Sequence, residues 1–230
     1  IKTFSGVSLM GKTVLTSNQH KLLECAAQSS GIVDAFYLTG GTALAEFYLH
    51  HRLSEDLDFF SEKPFSESEI LKWVKDTAKK LRIVDVDHQT LQGQEIFYFH
   101  FPQNEVVKID FAYFPFPHIG KFTQMKQLRI ASLLDIGVNK IQALMTRNRA
   151  RDYFDLYEIM RTTPYTAKEL QRQYRLKFDV NVPSDQLVKK FLAIVHADDQ
   201  PKFLGKVDWE DVEQFFLDQA KELGNTFIGG

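Results

Sequence analysis

The sequence predicts an α+β fold, and three observations carry that expectation. Short apolar and aromatic runs with two-residue alternation crowd the first half of the chain. After Pro115 and Pro117 the pattern changes to helical spacing and stays so to the C-terminus. The chain, 230 residues with 44% hydrophobic and 25% charged content, is long enough to bury a substantial core.

The elements follow in order. Thr16 and Ser17 can cap a helix running to about Ser29, with Gly31 beyond its end. Ala35 to Thr39 is a short aromatic strand, broken by Gly40-Gly41, and Thr42 to His50 continues as helix. A polar loop, Arg52 to Glu55, leads into a strand from Asp56 to Phe60. Ser66-Glu-Ser-Glu69 has the spacing of a capping box and opens a helix to about Leu81. Three extended stretches follow, Arg82 to Thr90, Glu95 to Phe101 and Val106 to Phe114, the first two joined as a hairpin around Gly93. A short extended piece surrounds Arg129, and Ser132 with Asp135 marks a helix start. Helices are then expected over about 132–147, 149–162, 166–177, 184–197 and 208–223, punctuated by Pro164, Pro183 and Pro201. The composition shift near 120 separates a strand-rich core, 1–120, from a helical region, 121–230, that completes a shared cleft, either as a second unit or as part of one continuous domain.

Composition excludes several classes. No apolar run approaches the roughly 20 residues that span a bilayer, and Ile1 to Lys12 lack the pattern of a secretory signal. The single cysteine, Cys25, lies in an apolar run; it rules out an internal disulfide framework and fits a reducing cytoplasm. A formal charge of −2 supplies no global attraction to nucleic acid, so any polyanionic partner must meet a local basic surface.

The strongest chemical signal is Asp56-Leu-Asp58. On a strand, side chains two apart share a face, so both carboxylates emerge together while Leu57 and Phe59 turn to the core. Such a pair suits a hard divalent cation, Mg²⁺ by preference with Mn²⁺ as an alternative. Asp110 lies on a second strand, in Lys108-Ile-Asp110. If the two strands are neighbours, three carboxylates can hold two ions about 3.5–4 Å apart, one activating a hydroxyl and one neutralising departing pyrophosphate. A solvated strand edge, or the metal–nucleotide pair of a glycosyltransferase, would also produce Asp-x-Asp. The context upstream decides: Gly40-Gly41-Thr42 turns from strand into helix, where backbone N–H groups can cradle a phosphate.

Together Gly40-Gly-Thr-Ala-Leu-Ala45, His51-Arg-Leu-Ser54-Glu-Asp56-Leu-Asp58 and Lys108-Ile-Asp110 resemble the DNA polymerase β-type nucleotidyltransferases. Within that superfamily the chain is similar to the AbiEii/AbiGii toxin family, whose later motif matches Lys140-Ile-Gln-Ala143, Arg147 and Arg151-Asp152-Tyr-Phe-Asp155. The match covers roughly residues 36–160. It implies a polymerase β-like core, a short mixed sheet flanked by helices, with a helical C-terminal half. It further implies Mg²⁺, a nucleoside triphosphate, Gly40, Gly41 and Ser54 near the triphosphate, Asp56 and Asp58 on both ions, and Asp110 on the ion that activates the nucleophile. A bacterial toxin role, an RNA acceptor such as a tRNA 3′ end, and a cognate antitoxin are expectations of the same origin. His50 departs from the pattern, which has glycine before His51-Arg52.

Lys140, Arg147 and Arg151 would form one stripe if Val138 to Thr163 were a single helix, with Asn148 as the place for a break. Three such cations suit a triphosphate, although a solvated face is the ordinary fate of charged residues. Asp152 and Asp155 read as supports for those cations, and Arg52 as either a phosphate contact or a partner that orients carboxylates. His50-His51, the aromatic runs and Lys189-Lys190 need no role beyond helix end, sheet core and solvated face. Transfer to a small molecule or a protein hydroxyl, or a non-catalytic binding module, are the alternative functions.

Overall fold

A computed structural model describes residues 13–228, without the side chains of 226–228; the reading of Ile1 to Lys12 therefore lies outside the described residues. The chain begins with α1 (Ser17–Ala27), α2 (Ser30–Ala35), β1 (Tyr37–Thr39) and α3 (Gly40–Leu44), which continues as a wider turn over Ala45–Leu49. Next come β2 (Asp56–Ser61), α4 (Glu67–Leu81), β3 (Asp85–Leu91), β4 (Gln94–His100), β5 (Val106–Tyr113), β6 (Thr123–Met125) and β7 (Leu128–Ile130). The rest is helical: α5 (Leu133–Thr146), α6 (Ala150–Thr162), α7 (Ala167–Phe178), α8 (Ser184–Leu192) and α9 (Trp209–Ile228).

The strands form one mixed sheet in the order β3-β4-β5-β2-β1-β7-β6. Strands β2 and β5 pair in parallel, as do β1 and β7; the other neighbours are antiparallel. Residues 123–130 thus extend the sheet past the composition shift at 120. Alternation divides the sheet's faces. Leu57, Phe59, Phe97, Phe99, Ile109 and Phe111 turn to one side and pack with Leu22, Leu23, Ile70 and Trp73. Each buried aromatic of this layer contributes roughly 1.5–3 kcal/mol. Cys25 lies in the same core. A second apolar cluster, from Val138, Tyr153, Phe154, Leu170, Leu187, Phe191 and Phe216, knits the C-terminal helices together.

Local signals account for most boundaries. Thr16 and Gln19 make a reciprocal capping box, and Ser132 Oγ accepts from the Asp135 N–H at 3.0 Å. Gln92 and Gly93, both with positive φ, form the two-residue hairpin turn. Two details differ from the sequence reading. The helix expected to end before Gly31 instead breaks and restarts as α2, with Gly31 inside it close to Glu69. Ser66 pairs with Ser68 Oγ and makes no side-chain cap.

A buried ionic cluster ties the connector before α5 to α7. Lys177 Nζ lies 2.6 Å from Asp135 Oδ1, with both side chains fully shielded. Asp135 also accepts from the N–H groups of Ile119 and Gly120. His118 sits alongside; its Nδ1 reaches Gly120 O at 2.7 Å, and its Nε2 accepts from Ser132 N–H at 3.2 Å. The same Nε2 lies 3.2 Å from Asp135 Oδ2, a contact that favours the charged ring. Burial pushes the His118 pKa below 6.5, against the pull of Asp135. A folded pKa below the unfolded one contributes stability that is present above pH 6.5 and lost as pH falls through the folded value. The gap in melting temperature between wild type and His118→Gln should therefore narrow as pH falls below 6.5, which paired thermal melts would show.

Candidate active site

The parallel register of β2 with β5 assembles the acidic wall. Asp58 is paired with Asp110 and Asp56 with Lys108, so all four side chains leave the same face of the sheet. This face borders a cleft of about 470 Å³, lined by Gly40, Gly41, Asp58, Lys108, Asp110, Asn139, Lys140 and Arg147. Across it stands α5, whose Ile136, Asn139, Lys140 and Ala143 follow helical spacing along one face.

Burial and the charges of Asp110 and Asp56 push the Asp58 carboxyl up to about 7. Burial also raises Asp110, opposed by the Lys108 ammonium bonded to its Oδ2. Asp110 Oδ1 is buried without a hydrogen-bond partner. Crowded oxygen ligands with an orphaned acceptor fit a hard divalent ion, and Asp56, Asp58 and Asp110 are the residues that would hold it. In the present side-chain arrangement they do not close into an ion-sized set. Among the described residues, three His, Cys or acidic ligand atoms come within 4.8 Å of one another at Glu67, His88 and Glu95. Glu95 is paired with Phe111 and so faces away from the cleft. The cleft's own carboxylates are spread around Lys108, whose Nζ lies 3.9 Å from Asp56 Oδ2 as well as against Asp110.

The glycines serve close approach. Gly40 has φ +74°, and an added Cβ would collide with the Asp58 carboxylate. At Gly41 the collision would be with the Arg52 guanidinium and Ser54 Oγ. Both line the cleft, whereas Thr42 does not: it is fully buried and donates from Oγ1 to the Asp56 carbonyl, fixing the start of β2. Ser54 is half-buried beside Gly41 and outside the cleft lining. His50 ends the preceding turn at φ +50°, a left-handed position that glycine adopts without strain, which explains the residue the family pattern has there.

The basic wall is organised by two buried aspartates. Asp155 receives Arg52 Nε at 2.6 Å and a second guanidinium nitrogen at 2.8 Å, Lys140 Nζ at 2.6 Å and His51 Nε2 at 2.7 Å. Asp152 receives Lys140 Nζ at 2.7 Å and Arg147 Nε at 2.6 Å. Burial alone would raise both carboxyls. The charges of Lys140 and Arg147 instead hold Asp152 at about 2, and those of Arg52 and Lys140 hold Asp155 well below the ordinary range. Arg52 is buried, with its guanidinium bonded to Asp155 and to the Leu53 carbonyl, the geometry of an orienting partner. The single helical stripe fails. Arg147 has extended φ/ψ (−147°, 166°) and separates α5 from α6. Lys140 and Arg147 still meet through Asp152, but Arg151 turns to Asp199 at 3.1 Å and does not line the cleft.

Lys108 and Asn139 are cleft residues that carried no assigned role in the sequence. Lys108 stood inside a quoted motif, and its alternation with Asp110 was the signal that could have placed it. Asn139, with both carboxamide atoms buried and unpartnered, gave no signal beyond lying one residue before Lys140.

The family model for the nucleotidyl transferase AbiEii toxin of type IV toxin–antitoxin systems matches residues 21–222. The chain belongs to the AbiEii nucleotidyltransferase toxin family. An uncharacterized Aquifex aeolicus protein is 31% identical over 212 residues, spanning 90% of this chain and 97% of its own. The Helicobacter pylori protein JHP933 has a similar fold: TM-score 0.58 at 21% identity, covering 92% of this chain and 94% of that one. So does the Mycobacterium tuberculosis nucleotidyltransferase toxin MenT4, with TM-score 0.54 at 14% identity, covering 91% and 86%. This AbiEii-family protein is a nucleotidyltransferase with the mixed-sheet, helix-flanked fold of these structures. No helix among its described residues is long and apolar enough to cross a membrane.

Proposed function

We propose that this AbiEii-family protein is a divalent-metal-dependent enzyme that moves a nucleotide from a nucleoside triphosphate to an acceptor hydroxyl. On this reading it acts in the bacterial cytoplasm as the toxin of a toxin–antitoxin or abortive-infection pair. The acceptor is RNA, a tRNA 3′ end by preference, and a cognate antitoxin is its protein partner. The observation that carries the proposal is the opposition of two walls across one cleft, carboxylates on β2 and β5 against Lys140 and Arg147 on the α5 side.

Asp56, Asp58 and Asp110 would hold Mg²⁺, or Mn²⁺ in its place. When bound, the ion lowers the pKa of the acceptor hydroxyl and offsets phosphate charge. Gly40 and Gly41, which line the cleft, would lie beside the triphosphate. Lys140 and Arg147, held in place by Asp152, would neutralise the negative charge that builds as the pyrophosphate departs. Thr42, Arg52 and Ser54 would act from behind, fixing β2 and the glycine bend. Arg151, paired with Asp199 and outside the cleft lining, would serve the acceptor. The toxin role draws on the family's name and on the MenT4 likeness.

Incubation with each α-³²P-labelled triphosphate and Mg²⁺, with and without total tRNA, tests the proposal. Label should pass to RNA, and chelation by EDTA should remove it. Label on a small molecule or on protein would redirect the acceptor, and no metal-dependent transfer or binding would reject the reading.

A further inference from the structure

Lys108 stands where the proposed metal site has to be. It leaves β5 on the same face as Asp110 and in register with Asp56, because two-residue alternation leaves it no other side of the strand. Its ammonium contacts Asp110 Oδ2 and lies 3.9 Å from Asp56 Oδ2. One ammonium cannot satisfy the whole cluster, and Asp110 Oδ1 stays without a partner.

We propose that Lys108 is a resident counter-cation of the carboxylate cluster: it holds the acids together while no metal is bound, and it must withdraw before a divalent ion can enter. The lysine therefore sets the metal concentration at which the site fills. This rests on the metal-binding role assigned above to Asp56, Asp58 and Asp110. Three unaccompanied carboxylates on adjacent strands repel one another, and a cation among them relieves that repulsion in the metal-free protein. A lysine suits a temporary occupant. Its flexible four-carbon stem lets the charge swing out, and it makes a point contact, where a planar guanidinium would clamp a carboxylate with two bonds. With 27% of its side chain exposed, Lys108 has solvent to withdraw into. A divalent ion can gather oxygens from all three acids at once and so outcompetes a single ammonium.

Mn²⁺ titration, read by the electron paramagnetic resonance signal of the free ion, tests this on wild type, Lys108→Met, Lys108→Gln and Asp58→Asn. Both Lys108 variants should bind Mn²⁺ about three- to tenfold more tightly, the scale expected for removing one half-exposed ion pair. They should also melt below wild type in EDTA and gain more from added Mn²⁺. If Lys108→Met does not fold in chelator, Lys108→Gln, which keeps a polar end against Asp110, carries the comparison. Affinity equal to or weaker than wild type in the folded variants overturns the proposal. Asp58→Asn separates the two readings. If wild-type Mn²⁺ binding persists in Asp58→Asn, the metal assignment itself fails. If Asp58→Asn abolishes binding while the Lys108 variants bind no better, the lysine proposal alone is lost.

Discussion

Asp58→Asn is expected to fold, and to melt in EDTA at or above the wild-type temperature, while losing nucleotidyl transfer by on the order of a hundred- to a thousandfold. The two halves of this outcome share one cause. Asp58 sits where burial and the charges of Asp110 and Asp56 all oppose its ionisation, and they push its pKa up to about 7. An amide of the same shape removes that repulsion and leaves the backbone pairing of β2 with β5 untouched. The same substitution deletes a negative ligand from the centre of the proposed metal site. Paired thermal melts and α-³²P transfer assays check it; activity near wild type would remove Asp58 from the chemistry.

Asp155→Asn should do the opposite and fail chiefly in stability. Asp155 is fully buried and is the shared partner of Arg52, Lys140 and His51. Charge attraction keeps it ionised against a large desolvation penalty. Neutralising it strands buried cations, a loss of about 3–5 kcal/mol, since breaking one side of a buried ion pair leaves an uncompensated charge. At this chain length that is a fall in melting temperature on the order of 10 °C. Equilibrium denaturation with urea supplies the free energy directly. A change below about 1 kcal/mol would mean that the network around Arg52 contributes little to the fold. Activity should fall too, because Lys140 loses one of the two aspartates that aim it across the cleft.

The contrast shows which features are written locally. The alternation of Asp56 with Asp58, and of Lys108 with Asp110, needs only a strand to place each pair on one face. The glycine bend, the Thr16 and Ser132 caps and the Gly93 hairpin likewise use residues within a few positions of one another. These were legible because backbone period and turn chemistry act over short range. The helical stripe of Lys140, Arg147 and Arg151 was legible only in part: a break at Asn148 could be read, but not that Arg147 itself is extended.

The sequence by itself determined the α+β order, the shared face of the acids and the diglycine bend above them. Tertiary structure alone decided that β2 lies beside β5, that Arg52 is committed to an aspartate 103 residues away, and that Arg151 leaves the cleft for Asp199. It also decided that Lys108 rests among the carboxylates. The reason is that a charge takes its partner from whatever the folded chain brings within a few ångströms. Burial then makes that pairing obligatory, and neither distance nor desolvation is encoded in residue spacing.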